Sequence, residues 1–326
     1  YEDYILLYKN KQIVSSSFNL NQIQPASLDL SLSEECYEIK HSFLSSSAKV
    51  RDKLEKLIKK KINLNKKYIF ESNKTYLVRL NEKLFLKKNT FGHCNPKSTT
   101  GRLDIFCRIV VDYSDEYEKI PMNYQGEIFL EITSRSFNIE FKKGDRLTQL
   151  RLIYKKHKYL SDIELKKINI KDQIVFNKKM NISKIINNGL KVSVDLIGNK
   201  KIIAFYAKKS SPILKFSKIN FHKISDFWIA IKSNKKNLVI KKNKFYILKS
   251  KEKIKIPKYL AGEMIPYDTG IGDFRAHYAG FFDPGFGEAN GSYAVLEVKT
   301  NELPFLIEDG QTIARIKYEK LNKISK

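Results

Sequence analysis

Along most of the chain, apolar and polar positions alternate over short stretches rather than recurring at helical spacing. The segments 75–80, 127–132, 245–248 and 294–298 carry β-branched and aromatic residues between turn signals. Each predicts a strand. One stretch has the other period: Val50, Leu54, Leu57 and Ile58 fall on one face and predict a helix over 47–60. A second helix is predicted to begin near Ser161. The polar stretch 171–188 has no long strand pattern and reads as a junction, which divides the chain into lobes 1–178 and 179–326.

The second half repeats the first. Leu130-Glu131-Ile132 matches Leu296-Glu297-Val298, and Gly144 matches Gly310, both at an offset of 166. Ala26-Ser27-Leu28-Asp29-Leu30 is laid on Val192-Ser193-Val194-Asp195-Leu196 at the same offset. Tyr76, Glu82, Gly92 and Pro96 match Tyr246, Glu252, Gly262 and Pro266 at 170, so a small insertion and a compensating deletion separate the copies.

With 326 residues the chain is long enough for two domains, and 42% hydrophobic residues supply their cores. Lys and Arg exceed Asp and Glu by 26, a field that draws polyanions, including nucleoside triphosphates. Lysines are spread over the whole length, so Lys59-Lys60-Lys61 and Lys235-Lys236 read as solvated surface rather than one built patch. Cys36, Cys94 and Cys107 are too few and too irregular for a disulfide framework, which fits a reducing cytoplasm. No apolar run reaches the ~18 residues of a membrane span, and no signal peptide is evident. The first residue is Tyr, so a few residues upstream are expected.

Three segments together resemble one family. They are 24–30 (QPASLDL), 95–104 (NPKSTTGRLD) and 278–287 (YAGFFDPGFG). In combination and order they are similar to the double-length bacterial dCTP deaminases of the dUTPase-like superfamily. The resemblance covers nearly the whole chain. It implies a mainly β fold of two tandem dUTPase-like β-barrel (jelly-roll-like) lobes with a few short helices, trimeric assembly, and sites built where lobes meet. The implied reaction is hydrolysis of dCTP to dUTP and ammonia in dTTP-precursor synthesis, by a hydrolase acting on a cyclic amidine.

Such a reaction needs a water at C4 of cytosine and a group that takes its proton and returns one to the ring and leaving amine. Zinc deaminases activate that water with a metal held by H-x-E and P-C-x-x-C, and this sequence has neither. Its histidines, His41, His93, His157, His222 and His277, show no metal-ligand spacing, so no zinc is expected. Mg²⁺ is expected only as a companion of the substrate triphosphate.

The family's catalytic glutamate lies in L-E-φ, which occurs here as both Glu131 and Glu297. Its Ser and Arg, four residues apart, match Ser98 and Arg102 in the first lobe, where Asp268 and Gly272 stand in the second. Its Ala before a D-P-G-[FW] turn matches Ala279 and Asp283-Pro284-Gly285-Phe286 in the second lobe only. Each lobe lacks what the other keeps, as expected of one composite site. On this resemblance Glu297 is favoured as base and acid, with Ser98 and Arg102 beside it, and Glu131 is a relic or a structural carboxylate near Arg135, Lys142 and Lys143. Lys97, Thr99 and Arg102 would hold phosphates, and Ala279, Asp283 and Phe286 would face the base. Taken alone, Asp29 and Asp195 read as strand-ending side chains bonded to backbone amides, and Gly285 and Gly287 as turn glycines. Arg275 and His277 could touch substrate or lie on the surface.

Two other functions remain open on the sequence. One is a dUTP pyrophosphatase or a bifunctional deaminase and dUTPase, which shares fold and phosphate-binding serine. The other is a non-catalytic nucleotide- or nucleic-acid-binding protein, for which the charge is the only sign, since no DNA-reading helix or aromatic-basic RNA motif appears. No obligate nucleic-acid partner and no membrane partner is expected.

Overall fold

The computed structural model describes residues 2–154, 158–176, 181–198, 201–266, 274–275, 280–300 and 303–322. The chain forms two compact units, one of residues 1–157 with 209–226, the other of 158–208 with 227–326.

In unit one, a six-stranded antiparallel sheet runs β4 (Ile58–Asn63), β3 (Leu32–Ile39), β6 (Thr75–Phe85), β10 (Gln125–Ser134), β8 (Ile105–Val111), with β1 (Ile13–Val14) also on β6. A second sheet runs β2 (Leu28–Leu30), β12 (Thr148–Tyr154), β7 (Thr90–Pro96), β9 (Lys119–Ile120). A third runs β15 (Leu214–Lys215), β11 (Ile139–Phe141), β5 (Tyr68–Phe70), and its β15 pairs in parallel with β11. Unit two repeats the plan. One sheet is β16 (Trp228–Lys232), β14 (Ile202–Ala207), β18 (Phe245–Ile254), β22 (Ser292–Thr300), β20 (Phe274–Arg275). The other main sheet is β13 (Leu190–Ser193), β24 (Thr312–Lys320), β19 (Leu260–Pro266), β21 (Phe281–Phe282), and β17 (Asn237–Ile240) pairs with β23 (Phe305–Glu308).

The four expected strands lie inside β6, β10, β18 and β22. In β10 the side chains from Ile128 to Ile132 are all buried, so the strand is covered on both faces and reads as a continuous apolar run rather than an alternation. The duplication also shows in single hydrogen bonds. The Tyr76 hydroxyl accepts from Glu71 N–H at 3.1 Å, and the Tyr246 hydroxyl accepts from Lys241 N–H at 3.1 Å. Glu82 is buried and accepts from both the N–H and the hydroxyl of Ser31; Glu252 does the same with Ser193.

Register corrects one pairing made on sequence. Leu30 stands opposite Thr148 and Thr148 opposite Pro96, whereas Val192 stands opposite Ala314 and Ala314 opposite Pro266. Leu30 therefore corresponds to Val192, an offset of 162, and Asp29 corresponds to Lys191 rather than Asp195. The matching letters S-φ-D-L are a coincidence of composition, because the hydrogen-bond ladder and not the string fixes which residue faces which. Asp195 does end its strand as expected, accepting from Ile197 N–H at 3.0 Å and Gly198 N–H at 3.2 Å. Asp29 does not.

Two other expectations change. The helix over 47–60 is confined to α2 (Val50–Leu54), one turn after α1 (Glu2–Lys9), and the chain then enters β4. Val50 and Leu54 are buried and Leu57 and Ile58 pack on the same cluster, so the apolar spacing is real but is shared between a turn of helix and an edge strand. Lys59, Lys60 and Lys61 are exposed along that edge, as a solvated run should be. The division between units falls at 157/158 and not at 178/179, because Leu165, Ile174 and Val175 are buried in unit two's core. The helix expected near Ser161 is present as α4 (Asp162–Asp172, after the five-residue α3 at Ser98–Arg102), with a full capping box between Ser161 and Glu164.

Candidate active site

In unit one, β7 ends at Pro96 and the chain turns through Lys97 into α3. Lys97 is extended, with its N–H donating to Leu147 O at 2.8 Å. The Thr100 hydroxyl donates to that same carbonyl at 2.7 Å, and Thr100 and Gly101 are buried. Thr100 thus pins the turn from below, which removes its hydroxyl from any phosphate cradle. Ser98, Thr99 and Arg102 are exposed on the same turn. The expected hydroxyls and guanidinium are brought together, and Lys97 is half-buried behind them, its ammonium paired with the Asp29 carboxylate.

Glu131 lies in the middle of β10, 1% exposed, directly opposite Arg108 on β8. Arg108 Nε donates to Glu131 Oε1 at 2.8 Å, and the guanidinium stacks 3.5 Å from the Tyr117 ring centroid. Burial, and then the Glu131 charge, push the Tyr117 phenol up. The basic partner of Glu131 is therefore Arg108, not Arg135, Lys142 or Lys143, because cross-strand position rather than proximity in sequence decides the pairing. Glu131 Oε2 is buried without a hydrogen-bond partner. Glu118, at φ 64°, accepts from Ile109 N–H through Oε1 at 3.1 Å, its Oε2 is buried without a hydrogen-bond partner, and burial pushes the carboxyl up to about 8.

In unit two, Glu297 is 3% exposed in β22, opposite Ile247 of β18. The Asp283-Pro284-Gly285-Phe286 turn follows β21. Phe286 N–H donates to Asp283 O at 3.1 Å, and Phe286 O accepts from Ile256 N–H at 2.9 Å. Gly285 adopts φ 86°, and at Gly287, φ 68°, a Cβ would meet Ile254 O at 2.2 Å, so both are glycines by necessity. Asp283 is half-buried. The Phe286 ring packs on the unit-two core, edge-on to Phe282 with centroids 5.0 Å apart, so it shapes the turn. Unit one builds the same turn from Pro121 to Tyr124: Tyr124 N–H donates to Pro121 O at 3.2 Å, Tyr124 O accepts from Leu86 N–H at 2.9 Å, and Asn123 takes the positive φ. Ala279, Asp268, Gly272 and His277 lie outside the described residues, and of Arg275 only the backbone, paired with Lys299, is described.

Sequence reasoning did not find the Asp29–Lys97 pair or Arg108. The first was hidden by the wrong register, and the second carries no motif. Among the described residues no group of three or more His, Cys, Asp or Glu side chains is arranged to hold a metal ion, and no helix is long and apolar enough to cross a membrane.

Two family models match the chain. The 2'-deoxycytidine 5'-triphosphate deaminase N-terminal domain matches residues 3–158 and the C-terminal domain of the same family matches 161–326. A search of the curated proteins returned no match. Among solved structures, the chain is similar to the 2'-deoxycytidine 5'-triphosphate deaminase from Agrobacterium tumefaciens, with 36% identity and a TM-score of 0.93 over 98% of this chain and 97% of that one. Both halves matched in order, together with an identity of that size over nearly the full length, place this chain in the 2'-deoxycytidine 5'-triphosphate deaminase family.

Proposed function

We propose that the chain hydrolyses dCTP to dUTP and ammonia, with Glu297 as the working carboxylate and the Lys97–Arg102 turn as the phosphate side. The observation that carries the choice of glutamate is the Arg108–Glu131 ion pair at 2.8 Å. A carboxylate held across the sheet by a guanidinium that itself stacks on a tyrosine is positioned as a cross-strand ion pair. Glu131 is then read as structural, and the complementary sequence losses of the two units assign the chemistry to Glu297.

Glu297 takes a proton from the water whose oxygen bonds to C4. It passes that proton to N3, then takes the remaining proton from the C4 hydroxyl and gives it to the 4-amino group, so that C4=O forms as the C4–N bond breaks and ammonia leaves. The Ser98 hydroxyl orients that water, and Ala279 leaves room for the amine. Arg102, Lys97 and Thr99 bind the triphosphate, which enters as its Mg²⁺ complex. Asp283 faces the base, and Phe286 supports it by holding the turn. Support for drawing on both units comes from their complementary sequence losses. The same reading makes the enzyme cytoplasmic and a trimer.

Incubating the purified protein with dCTP and Mg²⁺ tests the reaction. Ammonia with accumulating dUTP is the expected result, whereas pyrophosphate and dUMP would mean that the product is hydrolysed further.

A further inference from the structure

Asp29 carries a cost that the fold does not require. Its residue is 1% exposed, one carboxylate oxygen is paired with Lys97, and the other, Oδ1, is buried without a hydrogen-bond partner. Among the described residues the one other donor to the carboxylate is Gln24 Nε2, at 3.5 Å. A half-satisfied buried carboxylate is destabilising. Burial pushes its carboxyl up, and Lys97 opposes that shift.

Unit two shows that the strand can do without it. At the same register, where Asp29 faces Gln149, stands Lys191 facing Arg315, and β13 pairs with β24 as β2 pairs with β12. At the offset of 170 that relates β7 to β19, Lys97 falls on Tyr267, which lies outside the described residues. The acid and the base are kept together in the unit that holds Ser98 and Arg102, and are replaced together in the other.

We infer that Asp29 is a positioning residue for substrate phosphate: it fixes the Lys97 ammonium behind the Ser98–Arg102 turn. An ammonium has three N–H donors, and Asp29 engages one of them, so the rest remain to meet phosphate oxygens. The Lys97 side chain is 27% exposed against 2% for Asp29, so the pair has a wet end and a dry end. Ordering the long lysine side chain before substrate arrives removes an entropic cost from binding. The inference rests on the reading of Lys97 as a phosphate ligand.

Steady-state kinetics of Asp29→Asn, Lys97→Met and the double variant on dCTP provide the test. Each single variant should raise KM by about tenfold with kcat within about twofold, and the double variant should be no worse than Lys97→Met. A role confined to stability would not split KM from kcat in this way. A normal KM in Asp29→Asn beside a raised KM in Lys97→Met overturns the inference alone, as do effects that multiply in the double variant. An unchanged KM in Lys97→Met overturns the phosphate reading and the inference with it. Should Asp29→Asn fail to fold, Lys97→Arg decides: it keeps the charge but not the geometry, so a raised KM supports positioning and a wild-type KM overturns it.

Discussion

Units one and two lay the same strands in the same register and then treat their acidic side chains differently. Glu82 and Glu252 are alike in being buried, in accepting from both the N–H and the hydroxyl of one serine, and in being pushed up by that burial, and Glu82 accepts from Gln22 as well. Glu131 and Glu297 occupy matching places in β10 and β22 and both are buried; Glu131 is held by an arginine stacked on a tyrosine. Asp29 has become Lys191. A carboxylate kept identically in both copies belongs to the fold, and one whose surroundings differ marks where the copies parted in purpose.

The sharpest way to break this comparison is to neutralise each glutamate in turn. Glu297→Gln should cut dCTP turnover by roughly 10²–10⁴ while nucleotide binding survives, the range lost with a general acid–base group. Glu131→Gln should keep most activity. Turnover that survives the first change and dies in the second would exchange the roles of the two units.

Removing the clamp comes next. Arg108→Met leaves Glu131 buried and uncompensated, which should cost about 3–5 kcal/mol in urea unfolding. The double change Arg108→Met with Glu131→Gln should recover much of that loss. If the single variant is as stable as the parent, Glu131 is not held as described.

A smaller effect is expected from Thr100→Val, which leaves Leu147 O with one donor fewer beneath the Ser98–Arg102 turn. A loss of about 1 kcal/mol is the usual size for such a bond. KM should rise more than kcat falls, because the turn carries phosphate ligands.

Glu118 adds a dependence on pH. The Glu118 carboxyl is pushed up to about 8 by burial, from an ordinary value of 4.5. Its folded value lies above its unfolded value, so the stability it contributes is complete below about 4.5 and is lost as pH rises through about 8. Thermal melts from pH 5 to pH 8 should therefore fall with pH, and Glu118→Gln should flatten part of that slope. An unchanged slope in the variant would remove Glu118 from the account.

Much of the architecture was legible in sequence because strands covered by a core leave a run of apolar letters, as in β10 and β22. Ser98 and Arg102 were legible only through the family resemblance, and the helical turn that carries them was not foreseen. What was not legible depended on partners distant in sequence. Arg108 has no motif around it and matters only because β8 lies beside β10. The helix over 47–60 stopped early because Ile58 and Ile62 find a neighbour strand in β3. Asp29 was laid on Asp195 by letters, and only the ladder to β12 and β24 put it opposite the right residue.

The segment 209–226 leaves unit two between β14 and β16 and adds β15 to β11 of unit one before returning. The two copies are therefore not separable cassettes, although the family models divide the chain cleanly near residue 160. A gene fragment ending there would encode a first lobe with an unprotected backbone edge along β11, the kind of edge that recruits another chain. Swapping or recombining halves among relatives would have to carry this borrowed strand along with the half that uses it.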